Sequence, residues 1–125
     1  FIATKEAPVH PNVKEALVEA SELDTRLIMR GLRNTERVLT NAGVERLIAK
    51  EKELGAALKF EDILPEVAGI YPKVMQEGDV DSGAWSCGMV AGLIHDVPTV
   101  SALLDRIMNE ADEIISQRLV GLQSS

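Results

Sequence analysis

The sequence contains a single cysteine, Cys87, among its 125 residues. One thiol cannot form an internal disulfide, which favours a reducing, cytoplasmic compartment. No apolar run approaches the roughly 20 residues that a membrane-spanning helix needs, so no membrane association is expected. The chain starts at Phe1 without the basic segment or cleavage pattern of a signal peptide, and we expect that the beginning of a longer protein is missing.

Positive charge is also scarce. The chain has 13 basic against 20 acidic residues and a net charge of −7. This balance lacks the excess of lysine and arginine that binds phosphate backbones, so no nucleic-acid partner is expected. Apolar residues make up 46% of the sequence, which is enough to build the core of one domain.

Metal and catalytic motifs are missing as well. His10 and His95 have no partner ligands at metal spacing, and we expect a helix cap and a surface residue. The segment 79–83 resembles a calcium loop, but Gly83 comes one position early and Val90 stands where a bidentate Glu is required. No metal site is therefore predicted. The sequence has no glycine-rich phosphate loop, HExxH or GxSxG.

The apolar pattern is mainly helical. His10 is a plausible N-cap because Pro11 occupies the first helical position, and the short apolar segment Phe1–Thr4 before it is typical of a strand end. Residues 21–34 fit strand or buried helix equally, and 69–78 fit an irregular segment or a short helix. Helices are predicted over 10–20, 35–54 with a possible break at 41–43, 60–68, 83–94 and 99–119.

Three glycines interrupt the helix predicted over 83–94, beside Trp85 and Cys87. Each costs roughly 1 kcal/mol relative to alanine in a helix interior, so another feature must favour them. Either a neighbouring backbone packs closely on Gly88 and Gly92, or the first turn borders a ligand. In the second case, the free N–H groups of the helix start and the Ser86 hydroxyl would face electron-rich oxygens. Cys87 is interpreted as an inert core thiol.

Four arginines, Arg26, Arg30, Arg33 and Arg37, would form a basic stripe if their region were one helix. Such a stripe could receive a dinucleotide phosphate. The alternative is ion pairing with acidic neighbours such as Glu22 and Glu36.

The order of three segments carries a family resemblance. "FIATKEAPVHPNVK", "LIMRGLRNTERV" and "QEGDVDSGAWSCGMVAGLI", followed by a long closing helix, resemble the C-terminal part of FMN-dependent nitronate monooxygenases, also called 2-nitropropane dioxygenases. The sequence is most similar to the branch that includes bacterial NADH:quinone reductases.

This resemblance implies a TIM-type α/β barrel with FMN at the C-terminal ends of its strands and an added helical domain. Residues 1–22 would hold the last strand and helix of the barrel, 23–96 the helical substrate-binding domain, and 97–125 a helix that packs back on the barrel. The flavin phosphate site is expected just before Phe1. The catalytic base would also lie upstream, so no catalytic residue is expected within this chain.

The family's Trp-Ser-x-Gly motif matches Trp85-Ser86-Cys87-Gly88. It implies that Ser86 hydrogen-bonds a small-molecule substrate on the flavin, with Trp85 packed beside it. The implied activity is oxidation of alkyl nitronates, with NADH:quinone reduction as an alternative, and a chain lacking the N-terminal barrel portion would be inactive. A stand-alone helical interaction module is a further alternative, which would require an exposed apolar face.

Overall fold

A computed structural model describes residues 1–123, apart from the side chain of Gln123. The described chain is mostly helical. Its α-helices are α1 (Pro11–Glu19), α2 (Ala42–Leu54), α3 (Phe60–Ile63), α4 (Ile70–Met75), α5 (Val100–Glu113) and α6 (Val120–Gln123). The two strands are β1 (Thr25–Ile28) and β2 (Glu36–Leu39). Short 3₁₀ turns cover Gly55–Ala57, Leu64–Glu66 and Met89–Leu93, and a π-helical stretch covers Ile114–Leu119.

Helix α1 confirms the prediction made from His10 and Pro11. The His10 Nδ1 accepts a hydrogen bond from the backbone N–H of Asn12 at 3.2 Å, and Val13 and Leu17 are buried. The helix ends at Glu19, one residue before the predicted end. His95 is exposed, as expected for a surface residue.

The segment between α1 and α2 forms an antiparallel hairpin, which answers the question left open for residues 21–34. Thr25 pairs with Leu39 and Ile28 with Glu36. The connecting turn is closed by a hydrogen bond from Asn34 N–H to the Met29 carbonyl at 3.2 Å. The first part of the helix predicted over 35–54 is wrong, since Glu36–Leu39 form β2, and α2 begins at Ala42, within the possible break at 41–43.

The helix predicted over 83–94 is also wrong. Residues 85–87 lie along the free edge of β2 instead, with Ser86 bridged to Val38. The Cys87 N–H donates to the Arg37 carbonyl at 3.0 Å, and the Leu39 N–H donates to the Trp85 carbonyl at 3.4 Å. These tertiary hydrogen bonds replace the intrahelical ones that glycine weakens, and only the Met89–Leu93 turn remains.

Two core clusters lie on opposite faces of this small sheet. Successive strand residues point to opposite sides, so Leu39 enters one cluster and Val38 the other. The first cluster packs α1, α4 and the 85–91 segment around Trp85, and the second packs α2 and α3 around Leu47. The edge segment follows the same alternation, with Trp85 and Cys87 in the first cluster and Ala84 in the second.

The C-terminal helical region is confirmed from Val100 through Leu119. Thr99 caps α5, its Oγ1 accepting from the Ala102 N–H at 3.2 Å. No residue of α5 is buried among the described residues, although the helix carries a broad apolar stripe. Phe1–Thr4, predicted to end a barrel strand, pair with no strand within residues 1–123. None of the helices described here is both long and apolar enough to cross a bilayer.

Candidate functional site

Ser86 lies at the exposed edge of the sheet, where three segments meet. Its backbone is fixed by the bridge to Val38, and its side chain lies on the opposite face of the strand from Trp85 and Cys87. The same alternation places Glu36 diagonally opposite Ser86, because Glu36 is two residues from Val38 on β2. Helix α4 supplies the third group, Tyr71.

These three side chains form one hydrogen-bond network. The Tyr71 hydroxyl donates to Ser86 Oγ at 2.8 Å, and the Ser86 backbone N–H donates back to the Tyr71 oxygen at 3.0 Å. Ser86 Oγ in turn donates to Glu36 Oε1. The Trp-Ser-x-Gly motif indicated Ser86 but neither of its two partners. Glu36 could have been identified from the alternation of side chains along β2 only if this segment had been predicted as a strand and not as a helix.

Trp85 is 1% exposed, and its buried ring anchors the segment 85–87 in the first hydrophobic cluster. Its Nε1 donates to the Val80 carbonyl at 3.1 Å, which satisfies the only polar atom of the indole. The residue therefore fixes the backbone that carries Ser86, in keeping with a packing role.

A pocket of about 180 Å³ is lined by Ser86 together with Trp85 and Cys87, and neither Glu36 nor Tyr71 lines it. It lies between the 85–91 segment and the first three residues of the chain, and its lining is mostly apolar. Phe1, at its entrance, is 70% exposed. Gly88 lines the same pocket, and a Cβ there would meet only Val90 at 3.8 Å, so this glycine is not required by close packing.

Close packing does explain two other glycines. A Cβ on Gly83 would collide with the Glu66 carbonyl, and one on Gly92 would lie 2.7 Å from the Glu22 backbone nitrogen. The prediction that a neighbouring backbone packs closely is thus correct for Gly92 and wrong for Gly88, and it also describes Gly83, although neither Gly83 nor Gly92 lies in an α-helix. The alternative, a ligand at a helix start, loses its basis at Ser86 because no helix begins there.

The predicted arginine stripe does not form, because its premise of one helix is wrong. Arg26 and Arg37 lie on the two strands of the hairpin, and Arg30 and Arg33 lie in its turn. Arg37 Nη1 donates to Thr25 Oγ1 at 2.8 Å. Within residues 1–123 none of the four arginines lies within 4.0 Å of a carboxylate oxygen. The pKa of Asp24 is lowered by hydrogen bonds from Ser21 and by the charge of Arg26, so Arg26 does interact with an acidic neighbour.

Cys87 is buried, and burial raises the pKa of its thiol. The buried position confirms the prediction of a core cysteine, and the raised pKa disfavours the thiolate, which is the reactive form. Among the described residues no group of three or more His, Cys, Asp or Glu side chains could hold a metal ion. The segment 79–83 instead caps α2, with Asp81 Oδ1 accepting from the Ala42 N–H at 3.2 Å.

Comparison with known proteins identifies the family. A sequence model described as nitronate monooxygenase matches residues 1–110. The chain therefore belongs to the nitronate monooxygenase family.

Solved structures of FabK from Thermotoga maritima are similar in fold and sequence. One aligns with a TM-score of 0.84 and 28% identity, covering 97% of this chain and 37% of FabK. The M276A mutant aligns with a TM-score of 0.76 and 26% identity, covering 97% of this chain and 34% of that protein. The chain thus spans roughly a third of the length of the structures it matches.

Proposed function

We propose that this chain is the C-terminal part of an FMN-dependent oxidoreductase that acts on a small molecule held at Ser86. The observation that carries the proposal is the family match over residues 1–110. The pocket beside Ser86 supports it, because it opens next to Phe1, where the barrel strand of the complete protein would arrive. In this proposal residues 1–22 close the barrel, 23–96 form the substrate-binding domain, and 97–125 pack back on the barrel.

The residues around this pocket fit one edge of a flavin ring. The lining is mostly apolar, Gly88 leaves room above the backbone, and no basic side chain lines this pocket among the described residues. The phosphate would accordingly be bound by residues before Phe1. When bound, FMN would supply the electron-accepting ring, while the protein orients the substrate and excludes water.

The proposed role of Ser86 is to orient the substrate through a hydrogen bond. The rigid edge segment, anchored by the buried Trp85, holds the hydroxyl in place. Preorganisation of this kind reduces the entropy lost when a substrate binds.

Oxidation of an alkyl nitronate is the reaction that the family's name gives, and it is the first candidate. NADH:quinone reduction is the second candidate, in which NADH would supply a hydride and the quinone would take up two electrons and two protons in all, one of the protons coming from solvent. One observation favours it. The Glu36 carboxylate lies against Ser86 and would repel a nitronate anion.

The N-terminal barrel portion of the same protein is the proposed partner. Apolar side chains that this chain leaves uncovered would pack against it, among them Phe1, Leu93, Met108 and Ile115. We place the protein in the cytoplasm because its buried single cysteine needs no oxidising compartment.

The experiment compares this chain with the complete protein that includes the barrel. The complete protein is expected to bind FMN in a one-to-one ratio and to be reduced anaerobically by a nitronate or by NADH. The purified chain with added FMN should neither bind it stoichiometrically nor turn over either substrate. A complete protein without flavin, or a catalytically active isolated chain, contradicts the proposal.

A further inference from the structure

The outer edge of β1 carries unpaired backbone groups. The Thr40 N–H donates to the Asp24 carbonyl at 2.8 Å, and the bonded positions alternate along an antiparallel pair of strands. The N–H and C=O groups of Thr25 and Leu27 therefore point away from β2. In the described part of the chain these four groups have no hydrogen-bond partner. Such an edge is a template on which another extended chain can pair.

A groove of about 490 Å³ lies between β1 and α2, beside this edge. Leu27 and Ile48 contribute apolar lining, and Leu27 is 41% exposed. Glu51 also lines the groove, and its Oε1 accepts from the Met29 N–H at 2.7 Å. The next N–H on the same edge is therefore already satisfied, and the unpaired part of the edge is confined to residues 25–27.

Basic side chains accompany the groove. Four exposed ones lie in it or in the turn that follows β1, namely Arg26, Lys52, Arg30 and Arg33. None of the four lies within 4.0 Å of a carboxylate oxygen among the residues that the structure describes. Two acidic side chains, Glu45 and Glu51, line the groove as well. The groove and the turn together therefore carry an excess of two positive charges, on a chain whose net charge is −7.

We infer that the outer edge of β1 docks an extended acidic segment of another protein, which adds a strand to the sheet. Main-chain hydrogen bonds to Thr25 and Leu27 would supply the affinity, and the basic side chains would select for carboxylates. A second copy of this chain is disfavoured as the occupant. The twofold pairing that satisfies all four backbone groups would place Arg26 directly opposite its own counterpart, and like charges in that position repel.

The position of this edge separates it from the proposed barrel interface. The sheet runs in the order β1, β2 and segment 85–87, and it is this segment that borders Phe1. The edge of β1 lies two strand spacings away, about 10 Å. It is therefore expected to stay accessible in the complete protein, and the inference does not rest on the proposed oxidoreductase function.

The experiment titrates the complete protein into a fluorescein-labelled peptide of alternating glutamate and valine and follows the fluorescence anisotropy. A second peptide carries lysine in place of glutamate. A third keeps the glutamates but has an N-methyl group on every backbone amide, which removes the donors that strand pairing needs. The protein variants are Arg26→Gln and Lys52→Gln, and Lys73→Gln, an exposed position on α4, is the matched control.

The acidic peptide is expected to bind about tenfold more tightly than either of the other two, because each of them loses carboxylate contacts or main-chain hydrogen bonds. Arg26→Gln and Lys52→Gln should each weaken its binding by about threefold, while Lys73→Gln leaves it unchanged. Amide hydrogen exchange of Leu27 should slow when the acidic peptide is added, whereas the amide of Arg26, which faces β2, keeps its rate.

Equal binding of the acidic and lysine peptides overturns the inference, and so does undiminished binding of the N-methylated peptide or an unchanged exchange rate at Leu27. Slower exchange at Leu27 that appears without peptide as the protein concentration rises would assign the edge to a second copy instead. Flavin content is recorded on the same samples. A protein without flavin contradicts the proposed function alone and leaves the docking result standing.

Discussion

Gly43 and Gly83 show how a missing side chain fixes the position of the site. Gly43 lies in the first turn of α2, and a Cβ there would collide with the Gly83 backbone. This contact brings the chain that leads to Ser86 directly onto the start of α2. The Gly43 N–H also donates to the Asp81 carbonyl at 3.0 Å, which ties the two segments together.

We expect Gly43→Ala to lower the free energy of unfolding by about 2 kcal/mol, because overpacking against backbone exceeds the gain in helix propensity. The measurement is denaturant-induced unfolding of this chain. Gly31→Ala is the matched control, since its Cβ would meet nothing within 4 Å, and it should be nearly neutral. Equal effects of the two substitutions would show that the contact is unimportant.

Helix α2 begins at a polar junction rather than at an isolated cap. Asn41 Oδ1 accepts from the Val44 N–H at 3.0 Å, while its Nδ2 donates to the carbonyls of Leu39 at 3.2 Å and Gly83 at 2.9 Å. One side chain therefore joins the end of β2, the start of α2 and the approach to Ser86.

Asn41→Ala should cost about 2 kcal/mol of unfolding free energy, at the upper end of the range for N-caps, because it removes two further hydrogen bonds. Thr99→Ala is the comparison, since Thr99 makes one capping bond at 3.2 Å and a loss of about 1 kcal/mol is expected. Thermal or denaturant unfolding of both variants measures the two losses of unfolding free energy. If Asn41→Ala lowers the free energy of unfolding by no more than Thr99→Ala does, the two additional hydrogen bonds of Asn41 do not contribute to stability.

A salt bridge ties the segment before α5 to that helix. Arg106 donates to both carboxylate oxygens of Asp96, at 3.0 and 2.7 Å, and these hydrogen bonds lower the pKa of Asp96, as does the Arg106 charge. A lowered pKa in the folded state means that the stabilisation is complete above the unfolded pKa. It is lost as the pH falls through the lowered value.

Asp96→Asn should therefore destabilise the chain slightly at pH 7, and the difference from wild type should disappear as the pH falls through the lowered pKa of Asp96. The check is urea unfolding as a function of pH at low salt. Asp105→Asn, an exposed carboxylate on α5 with no side-chain partner among the described residues, should show no such profile. A pH-independent difference would exclude the ion pair as its cause.

The elements show what the sequence could and could not predict. Helices α1 and α5 were predictable because their caps and apolar spacing are local signals. The edge segment around Ser86 was not, because its hydrogen bonds go to β2, nearly fifty residues earlier, and override the local helical pattern. The Trp-Ser-x-Gly motif located Ser86, but its partners Glu36 and Tyr71 depend on that long-range pairing.

The hydrophobic core of the molecule is built by the residues that precede α5. Both hydrophobic clusters draw on residues up to Ile94, whereas α5 contributes no buried residue among those described. Met108 is 67% exposed on this helix. In the complete protein we propose that the barrel covers this face.

Met108→Lys together with Ile115→Lys should leave the unfolding of this chain nearly unchanged, because both side chains are exposed here. The same pair should destabilise the complete protein and reduce its flavin content, since charges would be buried at the interface. Calorimetry and flavin absorbance on both forms test this. If the double substitution changes the stability of this chain and of the complete protein equally, the proposal that the barrel covers α5 is contradicted.

The most direct measurement is the anaerobic rate of flavin reduction in the complete protein carrying Ser86→Ala. If Ser86 orients the substrate beside the flavin, the rate should fall by about 10- to 100-fold, with flavin content and unfolding midpoint unchanged. A variant reduced as fast as wild type by both the nitronate and NADH would contradict a functional site at Ser86.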